Sequence, residues 1–409
     1  IDQVVQTALP ECKDAEEVSS TVKAFMNAEI PNRLIELLEQ IVLQGNSEFK
    51  KHKSLQNLLI LTAIKSDKSR VMGYIEKLNE YEGPNIALIA IKEELYEEAY
   101  YIYNKFELFD KAIVVLISNI GDVDRATEYA ANVDTPEVYS ILGNSQLRTN
   151  PPYVKEAIAS FMKANDTSSY RIVITAAEAA GEFEDLITFL LLARKQTQDT
   201  YIDTELVYSY AKYAAQFEDS HALADLEDFI SGPNTAQLLS VGERCFAEEL
   251  FEAAKIIFTN LSNYSRLASA LVALKQYREA VSAANKANSI KTWKEVMYAC
   301  IDANDFRYAQ SCGLNIILNA DELDDLIFYY ESRGYTDELI ELLEKGLGHE
   351  RAHKGIFTNL GVLYAKYREE RLMEHIQRYS RRCLFPKLIQ ACTENHLWAE
   401  QCFLHRQNE

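Results

Sequence analysis

The 409-residue chain sets 42 lysines and arginines against 62 aspartates and glutamates, a formal net charge of −20. A surface of that sign repels phosphate backbones and anionic bilayers, which argues against nucleic-acid binding, and no apolar run of ~20 residues offers a membrane span. Hydrophobic residues make up 48% of the chain while glycine (14) and proline (8) are sparse, which supports a long helical core and leaves no alternation for a sheet.

From the N-terminus, residues 1–28 predict two helices parted by Pro10–Asp14. The opening IDQVVQTAL has no basic leader or cleavage site, and it reads as cut from a longer chain. Pro31 suits the first turn of a helix that continues over Asn32–Leu43, and Gly45–Ser54 is a polar loop. Leu55–Ile64 and Lys68–Leu78 form the next pair, with Asp67 as N-cap. Pro84–Glu93 and Tyr96–Phe106 follow, then Asp110–Ile120, Asp122–Asn132 and Pro136–Leu147. At Asn150-Pro151-Pro152 two prolines remove two backbone donors, and the chain either bends there or carries a surface loop. The series restarts at Val154. After Thr204–Tyr213, the stretch Ala214–Ala222 reads as a lengthened connection, and residues 263–348 predict six punctuated helices. The chain stops at HRQNE with no polar capping repeat, so this end also reads as cut.

Internal repetition organises these helices. A ten-residue cassette occurs at Glu94–Tyr103, Glu249–Phe258 and His396–His405, with its leucines Leu95, Leu250 and Leu397 spaced 155 and 147 residues apart. Each copy places a small or polar residue (Ala99, Ala254, Gln401) where close helix packing is expected. A second cassette has its anchors at Leu34, Leu186 and Leu339, spaced 152 and 153, and Gly-Pro-Asn at Gly83 and Gly232 adds a spacing of 149. Strings at 156–183 recur at 279–306, including Lys163-Ala-Asn165 and Lys286-Ala-Asn288. A long period of about 150 built from ~30-residue helix pairs predicts an all-α fold. Its expected form is a right-handed α-α superhelix, a solenoid of stacked hairpins in an elongated rod. The units are placed at 1–153, 154–304 and a partial one at 305–409.

No phosphate-binding glycine loop, nucleophile elbow or zinc-protease motif is present, so no catalytic residue, cofactor or metal site is assigned and enzymatic activity is not expected. His349 with His353 and Cys392 with His396 share helix faces but lack further ligands. The seven cysteines are scattered, most of them on apolar faces, and read as free thiols of a reducing compartment. The 24 tyrosines read as rings wedged between helices with hydroxyls in water. One charge anomaly stands out. Between His349 and Lys387 nine lysines and arginines face four glutamates, a local balance of +5 that reads either as chance on a solvated face or as a docking surface for an acidic partner.

The strings IDQVVQTALPE, VKAFMNAEIPNRLIELLEQIVL, ADELDDLIFYYESRGYTDELIELLE and HLWAE closely resemble the clathrin heavy chain, and the similarity runs through the whole chain in order. The ~150-residue unit is similar to the repeat of that family, over the end of the distal leg, the knee and most of the proximal leg. The resemblance implies a structural, cytoplasmic protein on the cytoplasmic face of coated pits and vesicles, serving endocytosis and vesicle transport. It implies lateral packing with other heavy-chain legs, a triskelion formed through a segment outside this chain, and binding of the clathrin light chain. By motif position, Lys366, Arg368 and Arg371 match a basic cluster used by the light chain, and Arg194 with Lys195 match a basic spot near the knee. Gln196 stands where the family usually has another basic residue. Asn150–Pro152 and Ala214–Ala222 also depart from the family pattern. The alternative is a tethering or sorting subunit sharing the same repeat. Residues 366 and 368 lie about 160° apart on a regular helix, so the three cations share a face only if one helix ends near Tyr367 and another starts at Arg368.

A rod of this length must exceed the radius of gyration of a compact globule, ~22 Å. Small-angle scattering is expected to give a clearly larger value, and a value near ~22 Å would overturn the rod.

Overall fold

The computed structural model of the chain describes residues 20, 22–25, 30–44, 48–217 and 220–408. Cys12 and most of the helix pair expected over 1–28 lie outside these residues, as do residues 45–47 of the polar loop. Among the described residues every regular element is helical and none is a strand. Helices such as Gly83–Lys92, Tyr170–Ala180 and Ala320–Arg333 are 10, 11 and 14 residues long. Isolated helices of that length are marginal in water, so packing must hold them.

Contacts divide the chain into two compact units, Ile1–Gln198 and Asp199–Glu409. In the first, the series runs Pro31–Glu39, Lys53–Ser66, Val71–Lys77, Gly83–Lys92, Tyr96–Lys105, Phe109–Val115, Val123–Val133, Pro136–Gln146, Val154–Ala164, Tyr170–Ala180 and Phe183–Gln196. In the second it runs from Thr200–Phe217 to Trp398–Asn408. Within each unit a helix packs on the next and again on the one after. Thus Tyr264–Ala273 touches both Tyr277–Ala287 and Ile290–Asp302. The result is a solenoid of helical hairpins, whose buried side chains link Val22 to Ala164 in one unit and Val207 to Leu404 in the other.

The repeated cassette is the hairpin's turning point. Its first residues, Glu94, Glu249 and His396, adopt the left-handed conformation, with φ of 64°, 62° and 61°. The following leucine N–H, on Leu95, Leu250 or Leu397, donates at 2.8 Å to the carbonyl five residues earlier, on Ala90, Cys245 or Cys392. This closure satisfies a terminal carbonyl of one helix, and the next helix starts at Tyr96, Phe251 or Trp398. Asn165 and Asn288, the ends of the two Lys-Ala-Asn strings, are left-handed caps of the same kind (φ 52° and 48°). Their lysines also match: Lys163 lies over the Tyr139 ring at 5.0 Å and Lys286 over Tyr264 at 5.3 Å. Ala99 and Ala254 are fully buried, and Leu34, Leu186 and Leu339 are buried as well. Gln401 instead stays half-buried and donates to Thr393 Oγ1 at 3.1 Å.

Four expectations change. The Gly-Pro-Asn pair is not structurally equivalent: Gly83 opens the helix Gly83–Lys92, whereas Gly232 follows the helix Ser220–Ser231. There Asn234 turns its amide onto the Phe229, Ile230 and Gly232 carbonyls. Of the stretch expected to lengthen a connection, residues 214–217 extend a helix and 220–222 open the next one. Thr200–Phe217 has 18 residues where Lys53–Ser66 and Lys354–Tyr367 have 14, because alanines at 214 and 215 propagate a helix well. Asp67 caps the tight turn Lys68–Arg70, and the helix begins at Val71. Several tyrosine hydroxyls bond to protein instead of water: Tyr74 to Glu39, Tyr208 to Glu248 and Tyr364 to Glu344. Burial explains this, since a desolvated hydroxyl needs a partner. The double-proline segment is a loop between the closely packed helices Pro136–Gln146 and Val154–Ala164, where Thr149 Oγ1 lies 2.7 Å from the Gln146 carbonyl.

The buried cysteines pack as hydrophobes, and burial pushes the thiols of Cys245, Cys300 and Cys312 up to about 12. Cys402 is exposed.

Two predictions follow from this packing. In the second unit a methyl group added at Gly242 would meet Phe258 Cε1 at 2.8 Å, and Ala254 on the facing helix is fully buried, so the contact between these two helices is tight. Ala254→Leu is expected to destabilise by roughly 1–3 kcal/mol, and hydrogen exchange should show protection lost first within Asp199–Glu409. The second concerns His375, which is buried with Nε2 2.8 Å from the Phe357 carbonyl. Burial lowers its pKa, outweighing the Phe357 bond and the Glu344 charge, which raise it. The unfolded chain therefore takes up this proton more readily than the folded one. Stability from the neutral ring is complete above the ordinary value of about 6.5 and is lost as pH falls below it. Thermal melting should fall between about pH 7.5 and about pH 5.5, and His375→Gln should flatten that slope.

Candidate partner-binding surface

The helix Lys354–Tyr367 ends at the position where a break would let the three cations share a face. Arg368 leaves the helical region (φ −144°, ψ 65°) and serves both as C-cap of that helix and N-cap of Glu369–Tyr379. Glu369 and Glu370 in the new first turn, and Arg378 in its last, complement the helix dipole. The break frees Lys366 and Arg368 from the 160° separation of a continuous helix.

The three cations meet acids of the preceding hairpin. Lys366 Nζ lies 3.4 Å from Glu331, Arg368 2.6 Å from Asp337, and Arg371 2.9 Å from Glu344. Glu344 also accepts from the Tyr364 hydroxyl at 2.6 Å. All three cations keep between 30% and 51% of their side-chain surface exposed. The acids lie 27–35 residues earlier in the chain and were not singled out from sequence. The signal that could have found them is the ~30-residue hairpin itself, because a residue one hairpin back is a neighbour in space.

The same device recurs in both units. Arg125 pairs with Glu97 at 2.6 Å, Arg266 with Glu243 at 2.6 Å and Arg333 with Asp302 at 2.9 Å. The string RVMGYI at Arg70–Ile75 aligns with RLMEHI at Arg371–Ile376, and Arg70 faces Glu39 at 3.8 Å as Arg371 faces Glu344. Arg371 thus occupies a position that the repeat uses for cross-hairpin pairing elsewhere. The rest of the +5 segment is partly spent on rings: Arg382 lies over Phe357 at 4.7 Å and Arg378 over Tyr379 at 5.4 Å.

Arg194 and Lys195 belong to the other unit, in the last turn of Phe183–Gln196, where cations complement the helix dipole. Arg194 is half-buried and Lys195 exposed. Gln196 has an internal role. Its amide donates to the Asn165 carbonyl at 3.0 Å and to Asn165 Oδ1 at 2.9 Å, and its Oε1 accepts from Thr167 at 2.7 Å. It therefore ties the helix end to the left-handed cap at Asn165, which a lysine or arginine could not reproduce because neither can accept a hydrogen bond.

Neither expected pair shares a helix face, because His349 and His353 lie between the helices Thr336–Gly346 and Lys354–Tyr367 and His396 follows the end of Phe385–Glu394. His353 Nδ1 accepts from the Gly355 N–H at 3.1 Å, and its Nε2 lies 2.9 Å from the Ile317 carbonyl. Cys392 is buried, and burial pushes its thiol up to about 11. No described helix is long and apolar enough to cross a membrane.

Comparison with known proteins places this architecture. A family model described as a region in clathrin and VPS proteins matches residues 9–154, 161–308 and 314–409. The clathrin heavy chain of Dictyostelium discoideum is 55% identical over 405 residues, covering 99% of this chain. That of Drosophila melanogaster and clathrin heavy chain 2 of Homo sapiens are each 50% identical over 409 residues, covering 100%. The chain spans only 23–24% of the length of these relatives. A helical-hairpin solenoid matched along nearly its whole length at this level of identity leaves no other assignment: the chain belongs to the clathrin heavy-chain family.

Proposed function

We propose that the chain is a leg segment of a vesicle coat, a structural element and not an enzyme, acting on the cytoplasmic face of coated pits and vesicles. The observation that carries this reading is the 50–55% identity to clathrin heavy chains over essentially all of its residues. That identity favours the coat reading over a tethering or sorting subunit built from the same repeat. In this reading the repeat units at 1–153, 154–304 and 305–409 pack laterally against legs of other heavy chains.

We further propose that the light chain binds across Lys366, Arg368 and Arg371, with a second contact at Arg194 and Lys195. The break at Arg368 supports this, since it removes the separation of about 160° that a continuous helix would impose on Lys366 and Arg368. Their present partners do not oppose it. Exposed ion pairs of this kind are worth about 0–1 kcal/mol each, so an acidic helix that desolvates the arginines can displace Asp337 and Glu344.

Arg368→Glu combined with Arg371→Glu is expected to weaken light-chain binding about tenfold or more and to flatten its salt dependence, read by fluorescence anisotropy. Helicity and melting should change little, because Arg371 is exposed and Arg368 half-buried, in surface pairs worth about 0–1 kcal/mol each. Equal affinity and equal salt dependence in the double variant would remove this surface from the proposal while leaving the coat role intact.

A further inference from the structure

A second cationic surface, distinct from Lys366, Arg368, Arg371, Arg194 and Lys195, lies between the helices Tyr277–Ala287 and Phe306–Ile317, both in the second unit. These two helices pack on each other, and between them runs an open groove of about 580 Å³. Its lining includes Arg278, Ser282, Asn285 and Lys286 from one helix and Arg307 and Ser311 from the other. The spacing explains the convergence. Positions 278, 282, 285 and 286 follow i, i+4, i+7, i+8 and share one helix face, and 307 and 311 are i, i+4 on the facing one.

No carboxylate lines this groove, in a chain whose net charge is −20. Glu279, next to Arg278, has its carboxylate 3.6 Å from Lys255 instead. Among the described residues Arg278 and Arg307 make no ion pair or hydrogen bond, whereas Arg125, Arg244, Arg266, Arg333, Arg368 and Arg371 are all paired with acids. Lys286 lies over the Tyr264 ring at 5.3 Å, and among the described residues it makes no ion pair. Asn285 is held in place: its Oδ1 accepts from Trp293 Nε1 at 3.1 Å and lies 3.4 Å from Asn315 Nδ2, which leaves its own amide N–H groups as donors. The Ser282 and Ser311 hydroxyls add two more. The groove is thus built of donors and positive charge.

We infer that this groove binds a compact, multiply phosphorylated ligand. Phosphate oxygens are acceptors throughout, and the arginine fork takes them bidentately. The volume exceeds what one phosphate fills and falls in the range of small-ligand sites. A long polyanion is disfavoured, because beyond a Debye length of about 8 Å it would face the acidic remainder of the surface. A ligand whose phosphates lie within a few ångströms of each other keeps its charge inside the local positive field. Both a free polyphosphate and the headgroup of a multiply phosphorylated lipid meet that description.

The test titrates the whole chain with sodium tripolyphosphate by calorimetry at physiological salt. In parallel, the chain is sedimented with phosphatidylcholine vesicles doped with a lipid bearing a bisphosphorylated inositol headgroup. Saturable binding is expected in at least one arm, and Arg278→Gln with Arg307→Gln should weaken it by about tenfold or more. The charge-matched control Lys92→Gln with Lys111→Gln, two exposed lysines of the first unit, should leave it unchanged. Binding in the tripolyphosphate arm alone identifies a soluble ligand, and binding in the vesicle arm alone a lipid headgroup. Circular dichroism and melting confirm that each variant is folded. Absence of saturable binding in both arms, or equal losses in the groove and control variants, would overturn the inference.

Discussion

The structure depends on reversing direction after each short helix, most of them 10 to 14 residues long, without leaving carbonyls stranded. Its helices are too short to persist alone, so each must be returned promptly to the flank of the previous one. The left-handed closures at Glu94, Glu249 and His396 do this by satisfying a terminal carbonyl and restarting the helix within two residues. A non-glycine residue in that conformation costs about 1–2 kcal/mol. The leucine that follows packs against the core and offsets it, which accounts for the leucine at the same cassette position in all three copies.

Once hairpins stack at a regular spacing, electrostatics follows the stack rather than the chain. Arginines and lysines meet acids one hairpin back, at Arg125–Glu97, Arg266–Glu243, Arg333–Asp302 and Arg368–Asp337. Each such pair is exposed and adds little stability by itself. A segment that looks strongly basic along the sequence is for the same reason partly neutralised in space.

Two kinds of cationic surface result. At Lys366, Arg368 and Arg371 the charges are satisfied within the chain and would be exchanged on binding. At Arg278, Lys286 and Arg307 no acid faces the groove. The first arrangement suits a partner that competes through desolvation and an extended contact, the second a small ligand that supplies the missing negative charge.

Much of this was legible in the sequence. Hydrophobic periodicity showed the helices, and the spacings of Leu34, Leu186 and Leu339 showed the repeat, because each position must be buried in every copy. Once the resemblance grouped Lys366 with Arg368 and Arg371, helix geometry made a shared face conditional on a break near Arg368. Other features were decided only by tertiary structure. Identical strings such as Gly-Pro-Asn took different roles, since neither glycine nor proline specifies which side of a turn it occupies. The acids that pair with Lys366, Arg368 and Arg371 lie 27–35 residues away, beyond any local pattern. The groove at Arg278 and Arg307 joins two helices separated by a third, and its lack of carboxylates is a property of the space between them. Local sequence determines where a helix can form and where it must stop. Which side chains face one another depends on how neighbouring hairpins are rotated, and that is set by the packing of residues distant in the chain.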